Sequence, residues 1–206
     1  MGVIVSFFSD EGLQDPKKPG DQENKKKSSK NRYILLDYNK VYETRQYKQE
    51  FWISRTAEIR TGEDIERTIK RSSVKLKSYL QRQNGKAMNI GETQTTICMV
   101  TSENDTVTIS MLLPDEYKTD PPQPTDKDVF LHEHCPKLIY AMKLQGPCKE
   151  SNWARAHNEI KEQLDYNEEA YSVGVHYRVK QFPVGNRWQN EVWFLGPDVD
   201  KEYECI

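Results

Sequence analysis

At 206 residues and a formal net charge of −2, the chain has room for one domain plus a tail, and its charge gives no global pull toward nucleic acid. Its 35% hydrophobic content and mean hydropathy of −0.89 are low, yet enough chain remains outside the polar N-terminus to bury a core. No run approaches the roughly 18 apolar residues of a membrane-spanning helix, and the Val3–Phe8 patch is too short, and lacks the basic lead, for a signal-peptide core.

Met1-Gly2-Val3-Ile4-Val5-Ser6 fits the N-myristoylation pattern, with Gly2 as the acceptor and Ser6 at the required spacing. One acyl chain binds membranes marginally, so the basic knot Lys25–Lys30 would supply the second signal for a membrane surface. Residues 10–31 are rich in Lys, Asp, Glu, Ser and Pro with no hydrophobic period, which predicts a disordered tail over 1–30. The same lysines, nearly cancelled by Asp10, Glu11, Asp15, Asp21 and Glu23, also read as a solvated linker.

The folded part is expected over 31–198, with a C-terminal tail at 199–206. Tyr33–Leu36 is an apolar run that suits a first strand. Val41–Tyr47 and Phe51–Ile59 are two extended runs that read as a hairpin. Thr61-Gly62-Glu63-Asp64 has the form of a capping box with Thr61 as N-cap. A helix over about 63–83 follows, with Ile65, Ile69, Ser72, Leu76, Tyr79 and Leu80 on one stripe and Arg67, Lys70, Arg71, Lys75 and Lys77 opposite. Asn84-Gly85 is its expected end, Gly85 suiting the left-handed position after the helix. Met88–Val100 and Thr106–Leu113 read as strands, the second placing Val107, Ile109, Met111 and Leu113 on one face.

Pro121, Pro122 and Pro124 fix φ and remove backbone donors, so Asp120–Pro124 is a stiff extended connector. Two further runs, Val129–Glu133 and Leu138–Leu144, form a second predicted hairpin, with Cys135-Pro136-Lys137 as its turn. A second helix at about 150–165 carries Trp153, Ala156, Ile160 and Leu164 inward, with His157 beside the stripe. Tyr171–Lys180 alternates, with Tyr177 and Val179 inward and His176, Arg178 and Lys180 outward. Glu191–Leu195 is the last strand, and it sets Glu191 on the face of Trp193 and Leu195. A carboxylate beside such an aromatic surface is expected to resist ionisation, unless water or an arginine reaches it.

The order hairpin, helix, two strands occurs twice, with Phe51-Trp52 set against Ile139-Tyr140 and Arg55 against Lys143. This predicts an internal duplication joined by the proline connector.

The blocks YETRQYKQEFWIS, DPPQPTDKDVF and NRWQNEVWFLG, collinear over roughly residues 33–196, resemble the SOUL/heme-binding protein family. The resemblance implies an α+β fold, a twisted antiparallel β-barrel flanked by two helices with an internal pseudo-repeat. It also implies heme or another tetrapyrrole as ligand. The histidine proposed as iron ligand in some members falls on Gln46 here, and an amide ligates iron poorly beside imidazole. Other members use an apolar groove with a lysine near the last loop; that position falls at Val184, with Arg187 near enough to pair with a propionate.

His132-Glu133-His134-Cys135-Pro136 offers a different ligand set. Imidazoles at i and i+2 share a strand face, and the Cys-Pro step resembles the short heme-regulatory motif in which a thiolate binds iron. The same five residues read equally as a proline turn with outward histidines. The expected heme-binding residues are thus His132, His134, Cys135, Arg187, Ile69, Val184 and Glu191, and no separate metal site is expected.

Catalytic signatures are absent: no Gly-rich phosphate loop, HExxH or GxSxG occurs. Cys98, Cys135, Cys148 and Cys205 make no CxxC pair and are expected to be free thiols in a reducing compartment. The reading is a non-enzymatic, cytoplasmic, monomeric binding protein. A protein-interaction adaptor or a small-ligand module without heme ligation is the alternative. An enzyme with Glu191 as general base is the minority case.

Overall fold

The structure is a computed structural model, which describes residues 32–91, 95–101, 106–134, 137–181 and 189–197. The expected tails, residues 1–30 with Gly2 and residues 199–206, lie outside this set. The described chain runs β1 (Tyr33–Tyr38), β2 (Glu43–Tyr47), β3 (Glu50–Glu58), α1 (Ile65–Leu80), β4 (Thr95–Thr101), β5 (Thr106–Leu112), β6 (Phe130–His134), β7 (Lys137–Lys143), α2 (Glu150–Tyr166), β8 (Val175–Gln181) and β9 (Gln189–Leu195). All nine strands join one antiparallel sheet in the order β1-β2-β7-β9-β8-β4-β5-β3-β6.

The sheet curls. Arg32, immediately before the edge strand β1, donates to Glu50 in β3 and to Thr95 in β4, near the opposite edge. A flat sheet would hold these residues several strand spacings of about 4.8 Å apart. The fold is therefore the expected α+β, barrel-like arrangement with two helices.

Each helix covers half of one sheet face. Ile69, Leu76, Tyr79 and Leu80 of α1 pack on Ile53, Cys98, Val107, Ile109 and Met111. Trp153, Ala156, Ile160 and Leu164 of α2 pack on Tyr140, Met142, Val192 and Phe194. These stripes follow the 3.6-residue period read from the sequence, and truncating one such buried leucine to alanine typically costs about 2–5 kcal/mol. The opposite, concave face collects Tyr47, Trp52, Ile97, Ile139, Ala141, Tyr177, Val179 and Trp193.

The duplication is visible in the strand order. Exchanging β2 with β6, β3 with β7, β4 with β8 and β5 with β9 returns the same sheet, with β1 as an added edge. The two predicted hairpins are absent, however. β2 pairs with β1 and β7, whereas β3 pairs with β5 and β6. Each copy lends its first strand to the sheet of the other. The connecting residues carry the physical reason. A two-residue hairpin needs positive φ, hence Gly, Asn or Asp; Lys48-Gln49 offers none of these, and neither does the sequence Cys135-Pro136, proline being confined to negative φ.

The proposed residue matching between copies also shifts. It set Trp52, on the concave face, against Tyr140, which packs on α2. Side chains alternate faces along a strand, so that offset puts equivalent residues on opposite sides.

Two helix boundaries differ from expectation. Gly62 sits in the left-handed region at φ +76, so the helix can start only beyond it. Asp64, not Thr61, is the N-cap, accepting from the Arg67 amide at 2.7 Å. At the other end the helix stops at Leu80, and Arg82 rather than Gly85 takes the positive φ, at 76°. Asn84 completes this end by donating through Nδ2 to the carbonyls of Tyr79 and Met88, both at 2.8 Å. Gly85 serves another purpose. Its amide donates to Gln123 in the proline connector at 2.7 Å, and a Cβ there would press on that same carbonyl at 3.3 Å.

The connector is extended and docked as a unit on the end of α1. Tyr79 donates its hydroxyl to the Pro122 carbonyl at 2.7 Å, and Thr125 donates to Gln83. Burial pushes the Tyr79 phenol up to about 12, so this donor keeps its proton. Tyr79→Phe is expected to lower stability by about 1 kcal/mol, read as a shift in urea midpoint at unchanged slope.

Strand β8 begins at Val175, later than the predicted Tyr171, and Val173 is exposed. The residues expected to face outward from it meet the helices instead. Arg178 ion-pairs with Glu150 of α2, and Lys180 with Glu66 of α1.

Candidate functional site

Strand alternation builds a depression in the concave face. It is lined by Tyr47 of β2, Glu50 and Trp52 of β3, Ile97 of β4, His134 of β6, Lys137 and Ile139 of β7, Tyr177 of β8, and Trp193 and Leu195 of β9. The depression is open to solvent, and the roughly 370 Å³ of space over its lining is shared with bulk water. Its position follows from composition. Toward β5 the concave face is hydroxylic, with Ser54 bonded to Ser110 and Thr56 to Thr108. Toward β7, β8 and β9 it is aromatic.

The rings brace one another. Tyr47 lies 4.8 Å from Trp193 and 5.1 Å from Tyr33, and Trp52 meets His134 edge-on at 5.7 Å. Burial raises the phenols of Tyr47 and Tyr177 above their ordinary range, so both stay neutral.

Two bidentate ion pairs stiffen this wall. Arg45 donates to both oxygens of Glu191, at 2.8 and 3.0 Å, and both side chains are almost wholly buried. Burial disfavours the guanidinium charge, but the Glu191 hydrogen bonds and charge outweigh it and hold the Arg45 pKa above its ordinary value. Glu191 also accepts from the Trp193 indole at 2.6 Å and from Gln189 at 3.0 Å. Arg32 donates to both oxygens of Glu50, at 2.7 and 3.0 Å, with its guanidinium 5.7 Å from the ring centres of both Tyr47 and Trp52.

The predicted residues divide sharply. His132 and His134 share the concave face as their i, i+2 spacing required, with ring centres 4.4 Å apart. Burial, the neighbouring His132 and Lys137 bring His134 down to about 3, and burial and Lys137 also lower His132, so both imidazoles are neutral at neutral pH. Glu191 sits on the face of Trp193 as expected, and it has an arginine partner, Arg45. Ile69 is not on this face: it is buried between α1 and the sheet. Gln46, between Arg45 and Tyr47, faces away from the depression by strand alternation. Cys135, Val184 and Arg187 lie outside the described residues.

Sequence reasoning passed over Tyr47, Glu50, Trp52, Lys137 and the two arginines. Arg45 and Tyr47 did carry a signal, being i, i+2 on a strand and so on one face. Arg32 carried none, since it looks like the last residue of a polar tail.

Among the described residues, no group of three or more His, Cys, Asp or Glu side chains is placed to hold a metal ion, and no helix is long and apolar enough to cross a membrane.

In fold, the EcmrR C-terminal domain is similar with a TM-score of 0.53 at 11% identity, over 77% of this chain and 99% of that one. In sequence, "Heme-binding protein 1" of Xenopus laevis is 27% identical over 164 residues, 75% of this chain and 83% of that protein. "Heme-binding protein 2" of Homo sapiens is 31% identical over 110 residues, covering 51% of this chain and 52% of that protein. The domain described as SOUL heme-binding protein matches residues 28–195, most of the length and all nine strands, so the chain belongs to the SOUL heme-binding protein family.

Proposed function

We propose that this protein binds heme or another tetrapyrrole in the concave depression, as a non-enzymatic cytoplasmic carrier. The observation behind this reading is the wall itself: Tyr47, Trp52, Tyr177 and Trp193, with a neutral imidazole at His134, around one open depression. Flat aromatic rings and branched aliphatic side chains suit a planar apolar macrocycle. The depression is open, so a macrocycle would lie with one edge in solvent.

The residues present fit such a ligand. Trp52 is 1% exposed, yet its indole Nε1 has no hydrogen-bond partner in the structure. A buried N–H left unpaired costs about 1–3 kcal/mol, and a bound acceptor would recover part of that. Neutral imidazole is the form of histidine that ligates iron, which makes His134 the residue that would hold heme at the metal. Heme, when bound, would supply an iron centre with an open coordination position; the chain's own residues bind and orient.

The non-enzymatic part of the reading is supported by Glu191. Both of its oxygens are engaged by Arg45, Trp193 and Gln189, which leaves it unsuited to act as a general base.

Titration with hemin and with metal-free protoporphyrin IX tests this reading. Hemin is expected to bind saturably with a shifted Soret band. His134→Ala should weaken hemin about tenfold, equivalent to about 1.4 kcal/mol, and leave protoporphyrin within about twofold. Absence of saturable binding of either porphyrin at micromolar concentration would overturn the tetrapyrrole reading in favour of a small-ligand or adaptor role.

A further inference from the structure

The depression sets the Glu50 carboxylate beside an aromatic wall, with Glu191 bonded to the Trp193 indole of that wall, which is the chemistry of a cation site. Here each carboxylate is already met by an arginine of the same chain. Glu50 accepts two bonds from Arg32, and Glu191 accepts two from Arg45. The guanidinium of Arg32 lies 5.7 Å from the centres of the Tyr47 and Trp52 rings, and that of Arg45 lies 4.6 Å from the Tyr33 ring. The positions from which aromatic faces and carboxylates would attract a ligand cation are thus occupied from within.

What the wall offers a ligand is the opposite character. The Trp52 indole N–H is a buried donor lacking a partner, and Lys137 contributes a cationic side chain to the lining. The Trp193 indole, by contrast, is satisfied by Glu191. An unpaired donor and a cation, with the carboxylates neutralised, select ligands carrying acceptor or anionic groups.

We propose that Arg32 is a specificity-determining residue of this depression: by clasping Glu50 and covering Tyr47 and Trp52, it makes the site prefer aromatic ligands bearing carboxylates and reject aromatic cations. This rests on the concave depression being the ligand site, but not on the ligand being a tetrapyrrole. Arg32 is well placed for the role. It precedes β1 at the sheet edge, and it makes a third bond, from Nη1 to Thr95 at 2.8 Å, that fixes the guanidinium plane. Its two bonds to Glu50 match the planar fork geometry that lysine cannot reproduce.

The test uses the full chain and two small probes of matched shape and opposite charge, 2-naphthoate and 2-naphthylmethylammonium, followed by quenching of tryptophan fluorescence. Wild-type protein is expected to bind the naphthoate at least tenfold more tightly. Arg32→Met, which leaves Glu50 without its cation, should reverse that order. Because a bare buried carboxylate is destabilising, the double variant Arg32→Met/Glu50→Gln is measured alongside. It restores a neutral wall while keeping Lys137 and the Trp52 donor, so its preference should return to the naphthoate. An unchanged preference in Arg32→Met, a double variant that favours the ammonium probe, or no binding of either probe to any of the three proteins would overturn the proposal. Loss of porphyrin binding with the naphthyl preferences as expected would instead overturn only the tetrapyrrole reading.

Discussion

Arg45→Met is expected to destabilise the protein by about 3–5 kcal/mol, because it removes a bidentate cation from a buried carboxylate. The donors from Trp193 and Gln189 are neutral and do not replace a bidentate guanidinium. Arg45 also covers the Tyr33 ring, so the edge strand β1 should loosen with it. Chemical denaturation followed by circular dichroism reads the effect as a lower midpoint. The double variant Arg45→Met/Glu191→Gln should recover most of the loss, since a buried pair replaced by neutral groups of similar size is often close to neutral. If the single variant loses less than about 1 kcal/mol, Glu191 is not held by this pair in solution.

Stability is also expected to fall steeply on acidification, beginning near pH 6.5. His134 and His176 are both held down to about 3, mainly by burial. His176 packs against His157 and Phe194 in the layer between α2 and the sheet, where His157 and Arg178 add to the effect of burial. In the unfolded chain each histidine takes up a proton near pH 6.5; in the folded chain each stays neutral until about pH 3. Across that interval the unfolded state binds more protons, so lowering pH favours unfolding. The contribution is complete above about pH 7 and is lost progressively toward pH 3, amounting to up to about 2 kcal/mol per histidine by pH 5. Urea midpoints at pH 7.5 and 5.0 measure it. His176→Gln and His134→Gln should each flatten the profile, with His132 adding a smaller part. A profile unchanged in both variants would assign acid sensitivity to other groups.

Much of the fold was legible because it rests on local periodicity. The α2 stripe of Trp153, Ala156, Ile160 and Leu164 is the set of residues that α2 buries, and the alternation of Val107, Ile109 and Met111 marks the face of β5 that meets α1. Burial of one face imposes these periods whatever the partner is, so the sequence carries them. The pairing of strands is a different kind of information. Lys48-Gln49 and Cys135-Pro136 look like hairpin turns because they are short, and only their lack of a residue suited to positive φ hints otherwise.

The site divides in the same way. That His132 and His134 share a face, and that Glu191 lies on the face of Trp193, follows from alternation within a single strand. That Arg45 reaches Glu191 and Arg32 reaches Glu50 does not, for these partners stand 146 and 18 residues apart and meet only where the sheet curls. By itself the sequence determined two helices, the strand faces, a stiff proline connector and the family. The tertiary structure alone decided which strands exchange between the copies, which aromatic rings converge, and that the charges beside them are neutralised from within. Pattern is written by burial along each element, whereas a concave site is made by elements brought together from opposite ends of the chain.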